Sequence, residues 1–154
     1  NKKFMELVDA NFDKAINADI LDEKFKGLQW ITNKFMDNPK KELKLLIESK
    51  NVMKKSNFNY VIITDYQFYP LLLNLKKASP AKWYDAMSVP NKKNIYHNEF
   101  KNHFIKNLKK QKIDYIYLID KGKYPLNKLF GDQNCVIFSK INEILYLSNI
   151  NKCY

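Results

Sequence analysis

Two carboxylates stand immediately after two apolar segments of the sequence. Asp65 follows residues 60–64 (YVIIT), and Asp120 follows residues 115–119 (YIYLI). Short runs of β-branched and aromatic residues without polar alternation are typical of strands that are buried on both faces of a sheet. If these strands are parallel neighbours, the carboxylates share one edge, where they could bind Mg²⁺ or act as an acid and base pair. The alternative is that each aspartate caps the turn after its strand.

A pair of aromatic residues lies in the longest irregular segment, residues 78–95. Trp83 and Tyr84 are flanked by Lys82 and Asp85. Flat aromatic faces beside charged side chains suit contacts with a sugar or a phosphate, and loops of this length are usually functional or disordered. The alternative is that the two rings pack the loop against the sheet.

The two histidines lie six positions apart, and neither is near a cysteine, so no metal site is predicted. His97 precedes a predicted helix and is the better candidate for a general base, whereas His103 on the flank of that helix suits a structural role. The three glycines are too far apart for a phosphate-binding loop, and we expect no cofactor. The candidate binding residues are Asp65, Tyr66, Gln67, Lys82, Trp83, Tyr84, Asp85, His97 and Asp120.

The charge of the chain is strongly positive, but it comes from lysine alone. The 154 residues carry 27 lysines, no arginine and a net charge of +11. Arginine provides the bidentate contacts to phosphate and guanine, so a dedicated nucleic-acid function is disfavoured, although a basic nucleic-acid-associated protein stays an alternative. Lysine doublets such as Lys76-Lys77 are typical of solvated surfaces and could also approach anionic lipid headgroups.

The two cysteines are not expected to form a disulfide. A C-terminal hairpin is predicted from residues 134–139 and 143–149, and its register places Cys135 opposite the region of Tyr146 rather than Cys153. Two cysteines are also too few for a disulfide framework. The sequence contains no apolar run of membrane-spanning length and no signal peptide, so we expect neither a span nor an export signal in this piece.

Alternating helix and strand patterns predict an α/β fold. Short strands are predicted at residues 3–8 and 28–32, with one helix or two short ones over residues 12–27 that end at Gly27. Asn38 and Pro39 predict a helix start, with the helix running to about residue 55. Further helices are predicted at residues 71–75 and 98–111.

The repeated order of strand, helix and apolar strand implies parallel crossovers. We therefore predict a single domain over residues 1–154. It would have three αβα layers around a mainly parallel, Rossmann-like sheet with an antiparallel C-terminal edge hairpin. Because the first residue is Asn1, the chain is expected to be a fragment of a longer protein.

Four segments together resemble the soluble C-terminal region of bacterial membrane glycosyltransferases of the dolichyl-phosphate-mannose–protein mannosyltransferase type (glycosyltransferase family 39-like). They are residues 27–32 (GLQWIT), 61–68 (VIITDYQF), 79–84 (SPAKWY) and 141–146 (INEILY). These segments bear on the fold and contain no catalytic signature, and the similarity covers nearly the whole chain.

The resemblance implies a multi-span enzyme that uses a polyprenyl-phosphate sugar, with this domain at the extracytoplasmic face of the bacterial cytoplasmic membrane. Catalytic carboxylates in such enzymes lie in loops between membrane helices, so the domain itself would be non-catalytic. Its partners would be the membrane-embedded part of the same polypeptide and an acceptor or a lipid-linked sugar. Two alternatives stay open: a cytoplasmic nucleic-acid-associated protein, and a small Mg²⁺-dependent enzyme that uses Asp65 and Asp120.

Overall fold

A computed structural model describes residues 11–84, 88–120, 126–131 and 133–154. The chain forms two compact units, the first ending at Lys54 and the second running from Lys55 to Tyr154. The strand predicted at residues 3–8 and the candidate residue Asp85 lie outside the described residues. The prediction of a single domain stays a prediction.

The first part of unit 1 consists of tight turns and a small sheet. Single 3₁₀ turns occur at Phe12–Lys14, Ala18–Ile20 and Glu23–Phe25, and strands β1 (Ile16–Asn17) and β2 (Gln29–Trp30) pair antiparallel. The α-helices predicted over residues 12–27 are therefore wrong, and the strand predicted at residues 28–32 is shortened to β2.

Local side-chain hydrogen bonds explain these turns. Asn11 Oδ1 accepts from the backbone N–H of Asp13 (3.0 Å), and Asp22 Oδ1 accepts from that of Lys24 (3.3 Å). Such bonds offer the backbone an alternative to the helix ladder, which apolar spacing alone does not reveal. Gly27 has a φ of +85°, a left-handed conformation that glycine adopts without strain.

Helix α1 (Pro39–Lys54) begins where the sequence predicts. The Asn38 side chain accepts a hydrogen bond from the backbone N–H of Lys41 (2.9 Å), and proline in the first turn loses no helical bond. One face of the helix is buried, with Leu43, Leu46 and Met53 almost fully covered.

A buried carboxylate connects α1 to the segment that contains β2. Glu42 is fully buried, and its carboxylate accepts from Trp30 Nε1 (2.8 Å) and from Thr32 Oγ1 (2.8 and 2.9 Å). Hydrogen bonds to a buried charge are stronger than neutral ones, and a donor left without its acceptor carries a desolvation cost. Glu42 is thus a structural residue that fixes α1 to the small sheet's second strand.

Glu42→Gln is expected to lower the free energy of unfolding of unit 1 by about 2 kcal/mol, because the amide group replaces one acceptor oxygen with a donor. Amide hydrogen exchange of α1 measures the loss. Glu48→Gln on the exposed side of the same helix is the matched control and should change stability by less than about 0.5 kcal/mol. Equal protection in the two variants would show that the Glu42 hydrogen bonds contribute nothing.

Unit 2 contains a four-stranded mixed sheet. Strands β3 (Tyr60–Ile63) and β4 (Tyr115–Ile119) are parallel neighbours, with Tyr60 opposite Tyr115. Strands β5 (Ser139–Lys140) and β6 (Leu145–Asn149) form the C-terminal hairpin, and the sheet order is β3-β4-β6-β5. The two apolar segments therefore lie side by side, as predicted.

The prediction of a mainly parallel, Rossmann-like sheet is wrong. Of the three strand pairings among the described residues of this sheet, only β3 with β4 is parallel, since β6 pairs antiparallel with both β4 and β5. The hairpin does not merely extend an edge, because β6 occupies the central position beside β4. The segment at residues 28–32, predicted as a further strand of the sheet, instead contributes β2 to the two-stranded sheet of unit 1.

The connection between β3 and β4 contains α2 (Tyr69–Leu72) and α3 (His97–Lys110). Phe104 and Leu108 of α3 are fully buried in one core with Val61, Ile116 and Phe130. Side chains that point to the other face of the sheet form an aromatic cluster. The rings of Tyr60 and Tyr117 meet edge to face with their centres 5.1 Å apart, and the ring centres of Phe58 and Tyr115 are 4.0 Å apart. Both faces of β3 and β4 are therefore covered, which explains why their sequences do not alternate between polar and apolar residues.

The absence of a disulfide was also predicted wrongly, because Cys135 and Cys153 are bonded, with their Cα atoms 5.3 Å apart. The predicted strand over residues 134–139 is reduced to β5, and Cys135 instead ends a 3₁₀ turn at Gln133–Cys135. A second 3₁₀ turn, Asn151–Cys153, follows β6. Ser139 pairs with Leu147, so the hairpin register brings Cys135 level with residue 151 rather than with Tyr146, and the two turns complete the approach of the sulfur atoms.

Candidate functional site

The carboxyl end of β3 forms a compact turn held by its own side chains. The Tyr66 N–H donates to Thr64 Oγ1 (3.0 Å), and the Gln67 N–H donates to the Asp65 carbonyl (3.0 Å). Gln67 Nε2 donates to the Thr64 carbonyl and, across fifteen positions of sequence, to the Lys82 carbonyl (2.8 Å). Gln67 therefore attaches the long loop to the end of the strand.

A pocket of about 230 Å³ lies where this loop meets the strand. Three of the predicted residues, Gln67, Lys82 and Tyr84, line it. Three further polar residues line the pocket but were not predicted from the sequence: Thr64, Lys77 and Ser79. Thr64 directly precedes Asp65, and Ser79 belongs to the SPAKWY segment, so both could have been predicted from their neighbours. Lys77 could not, because the Lys76-Lys77 doublet is typical of a solvated surface.

Tyr84 forms the buried wall of this pocket. Its hydroxyl forms a hydrogen bond with Ser79 Oγ (2.6 Å) and accepts one from the Ala81 N–H (3.2 Å), while its ring meets Phe104 edge to face. Burial raises the pKa of Tyr84 to about 12, although both hydrogen bonds oppose this shift. The phenol is therefore neutral at neutral pH, which suits a hydrogen-bonding role rather than that of a base.

Two lysines, Lys77 and Lys82, line the pocket, and the indole of Trp83 lies beside Lys82. The Lys82 Nζ lies 5.4 Å from the centre of the Trp83 ring, and Trp83 is 41% exposed. The Lys77 Nζ donates to Asn59 Oδ1 (2.6 Å). A small anion that also carries hydroxyl groups would find the ammonium groups of two lysines and the hydroxyls of Thr64 and Ser79 in this pocket.

The two aspartates follow neighbouring parallel strands, as the sequence implies. Ile63 lies opposite Leu118, so Asp65 and Asp120 each stand two positions beyond a registered pair. Asp65 is exposed, whereas Asp120 has a φ of +55° and its N–H donates to the Ile144 carbonyl (2.7 Å). Across the described ranges, no group of three or more His, Cys, Asp or Glu side chains is arranged to hold a metal ion.

His97 is held by the loop that precedes α3. It is the first residue of that helix, it is 8% exposed, and its Nδ1 lies 2.8 Å from the Pro90 carbonyl oxygen. A carbonyl can only accept, so Nδ1 carries the proton. His97 thus secures the end of the loop and is not among the residues lining the pocket.

Comparison of the chain with protein-family models, with curated proteins and with solved structures finds no match. Among the helices of the described ranges, none combines the length and the apolar character that crossing a bilayer requires.

Proposed function

We propose that the chain is a non-catalytic accessory domain of a cell-envelope membrane glycosyltransferase that uses a polyprenyl-phosphate sugar. In this proposal, the pocket beside β3 contacts the sugar of the acceptor or of the lipid-linked donor. The observation that carries the proposal is the meeting of Gln67, Lys82 and Tyr84 in one pocket. Two of the four segments with the glycosyltransferase resemblance, residues 61–68 and 79–84, supply these side chains.

The chemistry of the pocket supports a ligand that combines hydroxyls with negative charge. Lys77 and Lys82 provide positive charge, Ser79 and Thr64 provide hydroxyls, and the indole of Trp83 lies next to Lys82. A sugar presents hydroxyls and an apolar ring face, and its phosphate adds the charge that lysine attracts.

The disulfide supports an extracytoplasmic location for the domain. Disulfides form and persist in oxidising compartments and are rare in the cytosol, where thiols are kept reduced. The bond between Cys135 and Cys153 thus agrees with a domain that stands on the outer side of the cytoplasmic membrane.

A hexose 1-phosphate is expected to bind this pocket, and titration followed by ¹H–¹⁵N NMR measures it. The largest shifts should occur at the Gln67 and Tyr84 amides and at the Trp83 indole. Lys82→Gln should weaken hexose phosphate binding by about fivefold, because it removes one exposed charge interaction. Trp83 does not line the pocket, but in this proposal the sugar ring extends over its exposed indole beside Lys82, so Trp83→Ala should weaken binding of both the hexose phosphate and the free hexose by about tenfold.

Lys92→Gln is the matched control, because Lys92 is exposed and does not line the pocket. Inorganic phosphate is titrated separately to measure the contribution of charge alone. If no hexose or hexose phosphate shifts the pocket signals, or if phosphate alone reproduces them, the sugar-binding role is wrong. For the parent enzyme, the gene upstream of Asn1 is expected to encode several apolar spans, and a reading frame that begins within a few codons of Asn1 contradicts that part.

A further inference from the structure

Unit 1 contains a second and larger concavity that the proposed function does not use. It is an open groove of about 630 Å³ between the segment that starts at β1 and one side of α1. Its apolar lining comes from Ile16, Ile20, Leu43 and Ile47. Ile20 is 58% exposed, so the groove presents apolar surface to water.

The polar residues of the groove are arranged asymmetrically along α1. Lys40, Lys41 and Lys44 line its end at the helix N-terminus, whereas Glu48 lies further along, and the span from Lys40 to Glu48 is about 12 Å of helix. The groove therefore has a positive end and an apolar body.

Two of these three lysines, Lys40 and Lys41, stand in the first turn of α1 and oppose the helix dipole. The N-terminus of an α-helix carries partial positive charge, so lysines in the first turn are unfavourable there and an anion is favourable. An anionic group held by Lys40 and Lys44 would neutralise both the side chains and the helix end. The apolar lining next to it would accept a hydrocarbon chain and remove it from water.

We propose that this groove binds a single-chain anionic amphiphile, with a carboxylate or phosphate head at Lys40, Lys41 and Lys44 and an alkyl chain along Ile16, Ile20 and Ile47. The groove volume lies within the range of about 300–1,000 Å³ that is typical of small-molecule sites. Nine of the described residues line it, whereas a stable protein interface uses about 20–30 on each side, so its size favours a small ligand over a protein. The site is in unit 1 and does not depend on the sugar pocket of unit 2.

Isothermal titration with dodecanoate below its micelle concentration tests the site. We expect saturable binding with one ligand per chain, and weaker binding at about 0.5 M salt, where exposed charges are screened. Dodecyl phosphate, dodecanol and acetate are titrated in parallel. Both anionic chains should bind, dodecanol should bind more weakly, and acetate should not bind, because head and chain are both required.

Two variants and one control assign the binding to the groove. The double variant Lys40→Gln with Lys44→Gln should weaken dodecanoate binding by about tenfold and leave dodecanol unchanged. Lys26→Gln with Lys54→Gln removes the same charge from exposed positions outside the groove and should have no effect. Ile20→Glu places a carboxylate in the chain path at an exposed position and should abolish binding without unfolding the unit.

Three results would overturn the proposal. Equal affinity for dodecanoate and dodecanol would show that the lysines play no part. An unchanged affinity in Ile20→Glu, with the helix intact by circular dichroism, would place the ligand elsewhere. Binding to vesicles of phosphatidylglycerol and phosphatidylcholine without any binding of monomeric dodecanoate would indicate attraction to a bilayer surface instead of a ligand groove.

Discussion

Phe104→Ala is expected to lower the free energy of unfolding of unit 2 by about 4 kcal/mol, because truncating a fully buried aromatic residue leaves a cavity in addition to the lost burial. Phe104 is 0% exposed and meets Tyr84 and Phe130 edge to face, at centroid distances of 6.1 and 5.7 Å. It therefore connects α3 with the pocket wall and with Phe130, which follows a 3₁₀ turn at Leu126–Leu129. Urea unfolding followed through the amide signals of β3 and β4 measures the loss.

Phe100→Ala provides the matched control on the same helix. Phe100 packs against the same core but is only partly buried, so its truncation should cost no more than about 2 kcal/mol. Similar losses for the two variants would mean that the core is not centred on Phe104. Because the Tyr84 ring rests on Phe104, the Phe104 variant should also broaden the Tyr84 amide signal, whereas the Phe100 variant should leave it sharp.

Removal of the disulfide is expected to cost about 3 kcal/mol. The bond between Cys135 and Cys153 closes a loop with a sequence separation of 18, and cross-linking a loop of that length restricts the unfolded chain by about this amount. The double variant Cys135→Ser with Cys153→Ser should therefore unfold at a lower urea concentration than the parent protein. Urea titration with and without a reducing agent measures the effect.

The reducing agent supplies the control for this experiment. It should bring the parent protein to the unfolding midpoint of the double variant and leave the variant unchanged. Two hydrogen bonds hold the same C-terminal segment without the sulfur atoms, from the Ile150 N–H to the Asp114 carbonyl (2.9 Å) and from the Tyr154 hydroxyl to the Ile113 carbonyl (2.7 Å). If reduction does not shift the midpoint, these bonds are sufficient and the disulfide contributes no stability.

Local signals in the sequence predicted the elements that depend on neighbouring residues. The start of α1 follows from Asn38 and Pro39, whose capping and φ preference act within one turn. Helix α3, predicted over residues 98–111, is observed at His97–Lys110. By contrast, the Asx-type hydrogen bonds at Asn11 and Asp22 replaced a helix that the spacing of apolar residues had indicated.

The candidate site was predictable in part. The end of β3 and the aromatic loop were selected because carboxyl ends of strands and long loops are common places for ligands, and the structure brings Gln67, Lys82 and Tyr84 of these segments together. The hydrogen bond from Gln67 Nε2 to the Lys82 carbonyl could not be inferred, since it joins residues through loop geometry. The place of Lys77 in the pocket could not be predicted either, because it depends on how the loop folds back towards β3.

The sequence by itself determined that two apolar segments would be buried strands, because runs such as YVIIT and YIYLI leave no polar face for water. Only the tertiary structure decided which strand lies on the far side of β4. The residues of an apolar strand do not show whether its neighbour runs parallel or antiparallel. The position of β6 beside β4 is therefore set by contacts between residues that are distant in sequence. The disulfide has the same origin, since the pairing of Ser139 with Leu147 and the turns that flank the hairpin bring Cys135 to Cys153.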